Sequence, residues 1–581
     1  MSVNTTFASA TSVSPSNENS ALVFENVITQ ASKTKAAIAW PTENVKEVKN
    51  TTLEGVRNGI TAAQTGTTIN AKITTGFQWD LGKWGLTQNI SKNTYIELAA
   101  TAKTNGSDGY TEIYNATGST SGANPTGNLF FKVGTNGNIT NPAGDGAYKG
   151  TLFGLNGTTL TGNLYMEFAS DQLKIEGNAA NLFGSVSASW SSTITGSSTL
   201  VFSKGTFGSA SLTGDNSLKG MVIGGGMNTG EGIHGSTLVE VSGGTFFNGI
   251  AGSGNMNTAT KKAGDSSTIN ISGGTISGNI FGGSITNGSI GSATAANGTN
   301  VILSGGVINA NIYAGNNNGG TIYGGTNVLL KNISDVSTVL TGGATQIIDG
   351  GNKSGGTIYG VKTLTFDKSS GTIAGKVQNF DKIILSADSA ITLTNTGSLG
   401  NKTAISGAGT LSLTTAGTYN YALAHTGALG TINANTTGVV SNIGINESNV
   451  SLNTLALATG SLTFASLGGA NLSTLNVTNL SSTGALAINL DLSLGLKAGT
   501  YNIITGSIKD VNSFVLGTVT SDYSITNLNS YKTDGFLKLS VNKDVARQTQ
   551  NLTWLGQSGT YHTNNFSRNP LKYNGCGFFF G

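Results

Sequence analysis

Three copies of one short pattern lie between Ser236 and Val307: Ser236-Thr-Leu-Val-Glu-Val-Ser-Gly-Gly-Thr245, Ser267-Thr-Ile-Asn-Ile-Ser-Gly-Gly-Thr275 and Asn300-Val-Ile-Leu-Ser-Gly-Gly-Val307. A weaker copy, Ser198-Thr-Leu-Val-Phe-Ser-Lys-Gly-Thr206, precedes them. The Ser before each Gly pair (Ser242, Ser272, Ser304) fixes the alignment, with spacings of 30 and 32 residues. Apolar residues then recur at constant offsets. Val241, Ile271 and Leu303 stand one residue before the anchor, and Val239, Ile269 and Val301 three before. Phe246, Ile276 and Ile308 stand four after, and Ile250, Ile280 and Ile312 eight after.

The residues before each anchor alternate with Glu240, Thr268, Asn270 and Asn300, with Ile302 as the exception. Period two marks a strand with one buried face. The Gly pair breaks the strand, because glycine tolerates backbone angles that other residues resist. A second apolar run ends in Ile-Phe-Gly-Gly (Ile280 to Gly283) or Ile-Tyr-Ala-Gly (Ile312 to Gly315). Such a unit cannot bury its apolar face alone; stacked on its neighbours it can. The pattern therefore predicts an all-β fold, a right-handed parallel β-helix, elongated. About 20 coils of roughly 25 residues would make a rod near ~100 Å long at the interstrand spacing. A β-sandwich is the competing fold, and it leaves four constant offsets in three copies unexplained.

The chain of 581 residues divides by pattern into five parts. Residues 1–66 are a polar, disordered start and an N-terminal cap, with short helices or an irregular entry at 21–65. Residues 67–197 form an irregular β region and early coils, 198–390 the Gly-rich repeat, and 391–545 the C-terminal coils. Residues 546–581 break the alternation and read as a truncated or frame-shifted tail. Asn316-Asn-Asn-Gly-Gly320 is either a turn or part of an Asn ladder at a corner.

Charged residues make up only 10%, and the net charge is +3. No basic stripe exists to neutralise phosphates, so nucleic acid is not an expected partner. No run of 18 apolar residues occurs, so this chain is not expected to insert a helix into a membrane. The start has no basic n-region and no apolar signal core. The single cysteine, Cys576, allows no internal disulfide.

Repeated Ser-Gly-Gly-Thr with Ile-Phe-Gly-Gly precedes Lys497-Ala-Gly-Thr-Tyr-Asn-Ile-Ile504, Leu537-Lys-Leu-Ser-Val541 and Asn551-Leu-Thr-Trp-Leu-Gly556. This order resembles bacterial autotransporter passengers over roughly residues 198–560. The resemblance implies a Gly-rich, pectin-lyase-like β-helix, extracellular or attached to the outer membrane surface, often an adhesin. Its partners would be glycans or proteins of a host or neighbouring cell. The export signal, the translocator barrel and a second Trp soon after Trp554 are missing, so the expectation is a passenger fragment or a relative released by other means.

Catalysis is the rival reading, because parallel β-helices also serve as polysaccharide lyases and hydrolases. Glycoside hydrolysis needs two carboxylates facing one bond. The clean repeats offer Asp215, Glu231, Glu240 and Asp265, with no recurring offset and no close Asp pair. Glu240 alone sits on the outward side of its strand. His234, His425 and His562 lack metal-ligand spacing. Asn105-Gly-Ser-Asp-Gly109 reads as a turn before it reads as a calcium loop, and Gly224 to Gly226 lacks the Lys-Ser/Thr of a phosphate loop. No catalytic, cofactor-binding or metal residue is assigned. Phe281, Tyr313, Tyr323 and Tyr359 form either a core or corner stack or an outward sugar-stacking row, with the core or corner favoured.

The register makes one sharp prediction. Ile271→Asp buries an unpaired charge and lowers the melting temperature. An unchanged melting temperature would place Ile271 in solvent and refute the register.

Overall fold

The computed structural model describes residues 40–65, 68–79, 92–104, 110–115, 126–141, 146–177, 184–212, 219–228, 232–256, 262–400, 402–424, 430–519, 525–541, 553–554 and 566–567. Over these residues the chain is an elongated parallel β-helix. The repeat strands stack in the expected register: Val239, Ile269, Val301 and Val328 form one interior column, and Val241, Ile271, Leu303 and Leu330 the next. Every one of these side chains is buried.

In the repeat region a coil has four faces. The third coil of the repeat shows them in order. Its first face is Ser267–Ile271, its second Thr275–Ile276, its third Ile280–Phe281 and its fourth Ser289–Ile290. Thr299–Leu303 then begins the next coil on the first face. Each face is a parallel ladder to the equivalent strands above and below. Two rows of stacked phenyl rings fill the early core, Phe168 on Phe202 at 4.8 Å and Phe207 on Phe246 at 5.2 Å.

The first-face ladder is unbroken for 18 rungs, from Lys46–Val48 to the end of Gly499–Val519. At about 4.8 Å per rung this is roughly 80 Å, shorter than the sequence suggested. The solenoid also starts far earlier than the clean repeats. Coil length is not uniform. Stacked partners lie 30 residues apart from Val241 to Ile271 and 36 apart from Leu330 to Phe366. The next step, Phe366 to Leu385, takes only 19, and Ile445 to Phe464 again 19. The fourth-face ladder ends at Thr357–Ile358 and the third at Lys376–Gln378. A coil is then two strands, such as Lys382–Leu385 and Ala390–Leu393, each pairing with its own successor.

Among the described residues of the entry is a helix, Leu53–Ala62. Thr52 caps it by accepting from the Gly55 N–H, and Leu53, Val56 and Ile60, spaced for one helical face, turn into the main core. At the other end the chain reverses direction. Phe536–Val541 pairs antiparallel with the start of Gly499–Val519, setting Tyr501 opposite Leu539, and also pairs antiparallel with Ile525–Tyr531. Thr553–Trp554 forms a separate two-stranded sheet with Phe566–Ser567.

Corners and interior are held by hydrogen bonds between coils. At one corner the Asn128 Oδ1 accepts from the Asn163 N–H at 2.8 Å, and the Asn163 Oδ1 from the Ser197 N–H at 2.8 Å. The Asn316 expectation resolves in favour of both alternatives. Asn316 Nδ2 donates within its own turn to the Gly319 carbonyl, while its Oδ1 accepts from the Ser284 N–H of the coil below. Asn352 repeats the arrangement, accepting from the Asn316 N–H and donating to the Gly355 carbonyl. Inside, the first residue of five successive first-face strands is a buried hydroxyl: Ser198, Thr237, Ser267, Thr299, Thr326. Ser198 and Ser267 donate across the core to the Gly224 and Gly282 carbonyls, both at 2.6 Å, and so tie the first face to the third.

The Gly pairs serve two separate needs. A Cβ on Gly273 would stand 2.3 Å from the Ser242 carbonyl oxygen of the coil below. Gly274 adopts φ +81, as Gly244 (+88) and Gly306 (+84) do at the same corner. Gly274→Ala therefore combines left-handed backbone strain with a collision against the Gly244 carbonyl, at 2.9 Å from the new Cβ. The expected loss is about 1–3 kcal/mol in urea unfolding. Unchanged stability would show that the corner relaxes freely.

Candidate functional site

A solenoid spends its inward side chains on the core, so any site must lie on outward rows, where rungs bring distant residues together. Three such rows are built here.

The first lies on the outward side of the first face in the early coils. Tyr95, Phe130 and Tyr165 are stacked partners, and so are Glu97, Lys132 and Glu167 two residues further on. The charged column extends back through Lys72 to Glu47, so its signs alternate rung by rung. Lys72 pairs with Glu97 at 3.2 Å and Lys132 with Glu167 at 2.9 Å. Tyr95 and Phe130 stack with centroids 4.3 Å apart and planes 3° apart. Trp40 lies edge-on to Tyr95 and Tyr165, with the Lys132 ammonium over its ring, and its Nε1–H donates to Glu167 Oε2 at 2.9 Å. Glu167 Oε2 also accepts from the Tyr165 hydroxyl. Burial, reinforced by the Glu167 carboxylate, holds the Tyr165 hydroxyl well above its ordinary pKa.

The second row runs outward along the third face, through Ile223, Ala251, Phe281, Tyr313 and Asp349. Ile280 and Ile312, one residue earlier, point into the main core. Phe281 and Tyr313 stack at 5.5 Å and belong to a separate apolar cluster with Met221, Met227 and Ile285. They are neither in the main core nor exposed. Asp349 is the last rung but one of the row, followed by Gln378. It is buried and fully engaged, accepting from the Gly351 N–H, Gln378 Nε2 and Asn379 Nδ2, each at 2.7 Å. Its role is structural.

The third row lies at the end of the fourth face. Tyr323 and Tyr359 stack at 5.7 Å, and Tyr359 is 69% exposed. The four repeat aromatics therefore split into a buried pair and an open pair.

Of the acids considered for catalysis, the two described, Glu240 and Asp265, do not converge. Glu240 lies on the outward first face, two rungs from Glu167 through Val201. That separates their backbone positions by about 10 Å, and Glu167 is occupied by Lys132 and Trp40. Asp265 forms an ion pair with Lys262. His234 follows the fourth-face strand Gly232–Ile233, its N–H bonded to the Ile194 carbonyl. Asp215, Glu231, His425, His562, Cys576 and the Asn105–Gly109 loop lie outside the described residues. Among the described residues no three His, Cys, Asp or Glu come together, and no helix is long and apolar enough to cross a membrane.

Sequence reasoning missed the Trp40 patch, although its strands were legible. The signal was present: an aromatic residue followed two positions later by a charge, at Tyr95/Glu97, Phe130/Lys132 and Tyr165/Glu167, each 35 residues after the last. Comparison with known proteins adds no name, since no family model, curated protein or solved structure matches this chain.

The patch is testable as a unit. Glu167→Ala, Trp40→Phe and the double variant define a cycle with an expected coupling of about 0.5–3 kcal/mol in urea unfolding. Strict additivity would mean that Trp40 does not rest on Glu167.

Proposed function

We propose that the protein is an elongated, surface-displayed or secreted β-helix that acts in adhesion or surface interaction, of the kind autotransporter passengers present. The observation that carries this reading is the unbroken first-face ladder, closed at its far end where Gly499–Val519 meets the antiparallel Phe536–Val541. Two of the segments on which the resemblance rests meet there, while the third, around Thr553–Trp554, pairs in a separate sheet. The outer surface fits the same role. It is long, regular and mostly uncharged, with Ser, Thr and Asn in rows. Aromatic residues gather in small groups along it.

The alternative, a β-helix enzyme that degrades polysaccharide, requires two carboxylates across one bond. Of the described acids, Glu240 stands two rungs from Glu167, and Glu167 is already paired with Lys132. A shallow pocket over Leu385, Ser406, Thr431 and Ser451 has no ionisable side chain in its lining.

One experiment separates the two. The purified chain is applied to an array of glycans and matrix proteins while reducing-sugar release is followed in parallel. Binding without release is the expected result. Sugar release would overturn the proposal and direct mutation to Glu240 and Asp265. Absence of any binding would overturn the adhesive role.

A further inference from the structure

The fourth-face ladder climbs from Thr159–Leu160 to Thr357–Ile358 and stops there. It stops because the next coil is too short to make that face. After the third-face strand Lys376–Gln378 the chain passes through Asn379, Phe380 and Asp381 directly to Lys382–Leu385 on the first face. The rod therefore has a step, and Tyr359 stands on its tread. The Tyr359 N–H is fixed on the Ile322 carbonyl at 3.0 Å, and its ring is backed by Tyr323, 5.7 Å away with planes 24° apart. One face of the Tyr359 ring is thus covered from below. The other faces along the rod axis, where no further rung of this ladder follows among the described residues.

The surroundings define what fits. Thr357 is exposed on the same tread, and Val361 is 56% exposed beside it. Lys362, three residues after Tyr359, pairs with Asp381 at 3.1 Å, and the Lys362 N–H donates to the other carboxylate oxygen. The nearby charges thus balance. Lys353 is turned to the ring of Phe281. The tread offers one flat electron-rich ring, a short apolar flank, hydroxyls at its edge and no net charge. A stable protein interface needs about 800 Å² on each partner, far more than Tyr359 and Val361 present. A neutral pyranose ring matches in size. Its axial C–H bonds pack on the aromatic face and its hydroxyls meet polar groups at the rim.

We propose that the Tyr359 step is a binding subsite for a neutral pyranose sugar. This rests on the adhesive reading and supplies its ligand class. The full-length chain is titrated by calorimetry with neutral β-linked tetrasaccharides of glucose, galactose and N-acetylglucosamine. The same titrations are run on Tyr359→Ala and Tyr359→Phe, with melting temperatures measured alongside. At least one sugar should bind the parent, Tyr359→Ala should weaken it about tenfold at unchanged melting temperature, and Tyr359→Phe should retain it. Failure of every tetrasaccharide to bind, or undiminished binding by Tyr359→Ala, would overturn the site. Array binding that survives Tyr359→Ala would reject the subsite and leave the adhesive reading standing. Loss of matrix-protein binding alone in that variant would reject the sugar assignment. A parent chain that binds nothing on the array would reject both.

Discussion

Wherever two coils of this protein stack, they lie about 4.8 Å apart, and most of the sequence follows from that distance. Where the perimeter turns a corner, the approach leaves no room for a side chain, and Gly273 is there because the Ser242 carbonyl occupies the space a Cβ would take. Where the corner exposes backbone N–H groups, a side chain from the adjacent coil accepts from them, as Asn163 does from Ser197. Identical positions also become close neighbours. Like charges at that separation cost on the order of several kcal/mol at an intermediate dielectric, so a repeat protein cannot simply repeat a charge. Only 10% of the residues are charged. The long charged column Glu47, Lys72, Glu97, Lys132, Glu167 reverses sign at each rung.

The same distance accounts for polar residues inside. The hydroxyls that open the five repeat strands of the first face would be costly in an apolar core if they lacked acceptors. Ser267 finds one on the third face, at the Gly282 carbonyl, and Thr299 finds one at Ala314, 2.5 Å away. These bonds run across the section, whereas the strand ladders run along the axis. The section is therefore braced in both directions, with apolar columns such as Ile269 and Ile271 filling the space between.

What was legible in the sequence was what repeats within one coil. Period-two alternation placed Ile269 and Ile271 in the core, and Ile280 with Phe281 on opposite sides of one strand, because burial depends on strand parity alone. The coil lengths and the ends of the third-face and fourth-face ladders were not legible, because they depend on where insertions leave the section and no local pattern records that. The Trp40 patch was hidden for a different reason. Its members Tyr95, Phe130 and Tyr165 are unremarkable one at a time and acquire meaning only as a column. Tyr359 was singled out early with Tyr323, yet its exposure follows from the coil above it being short, not from its own neighbours in sequence.

The shortening at Phe366 also divides the molecule as a cooperative system. In a stacked array, stability is a sum of coil terms and contacts between adjacent coils. Coils of about 30 residues before Phe366 and of about 20 directly after it bury different amounts per rung, and the contact between them matches on only part of its section. That contact is a natural boundary for a fraying front. Opening that begins at one end reaches it and meets a change in the cost of each further rung. The two segments then melt as distinguishable units within one continuous ladder, and the junction sets how far damage at either end can travel.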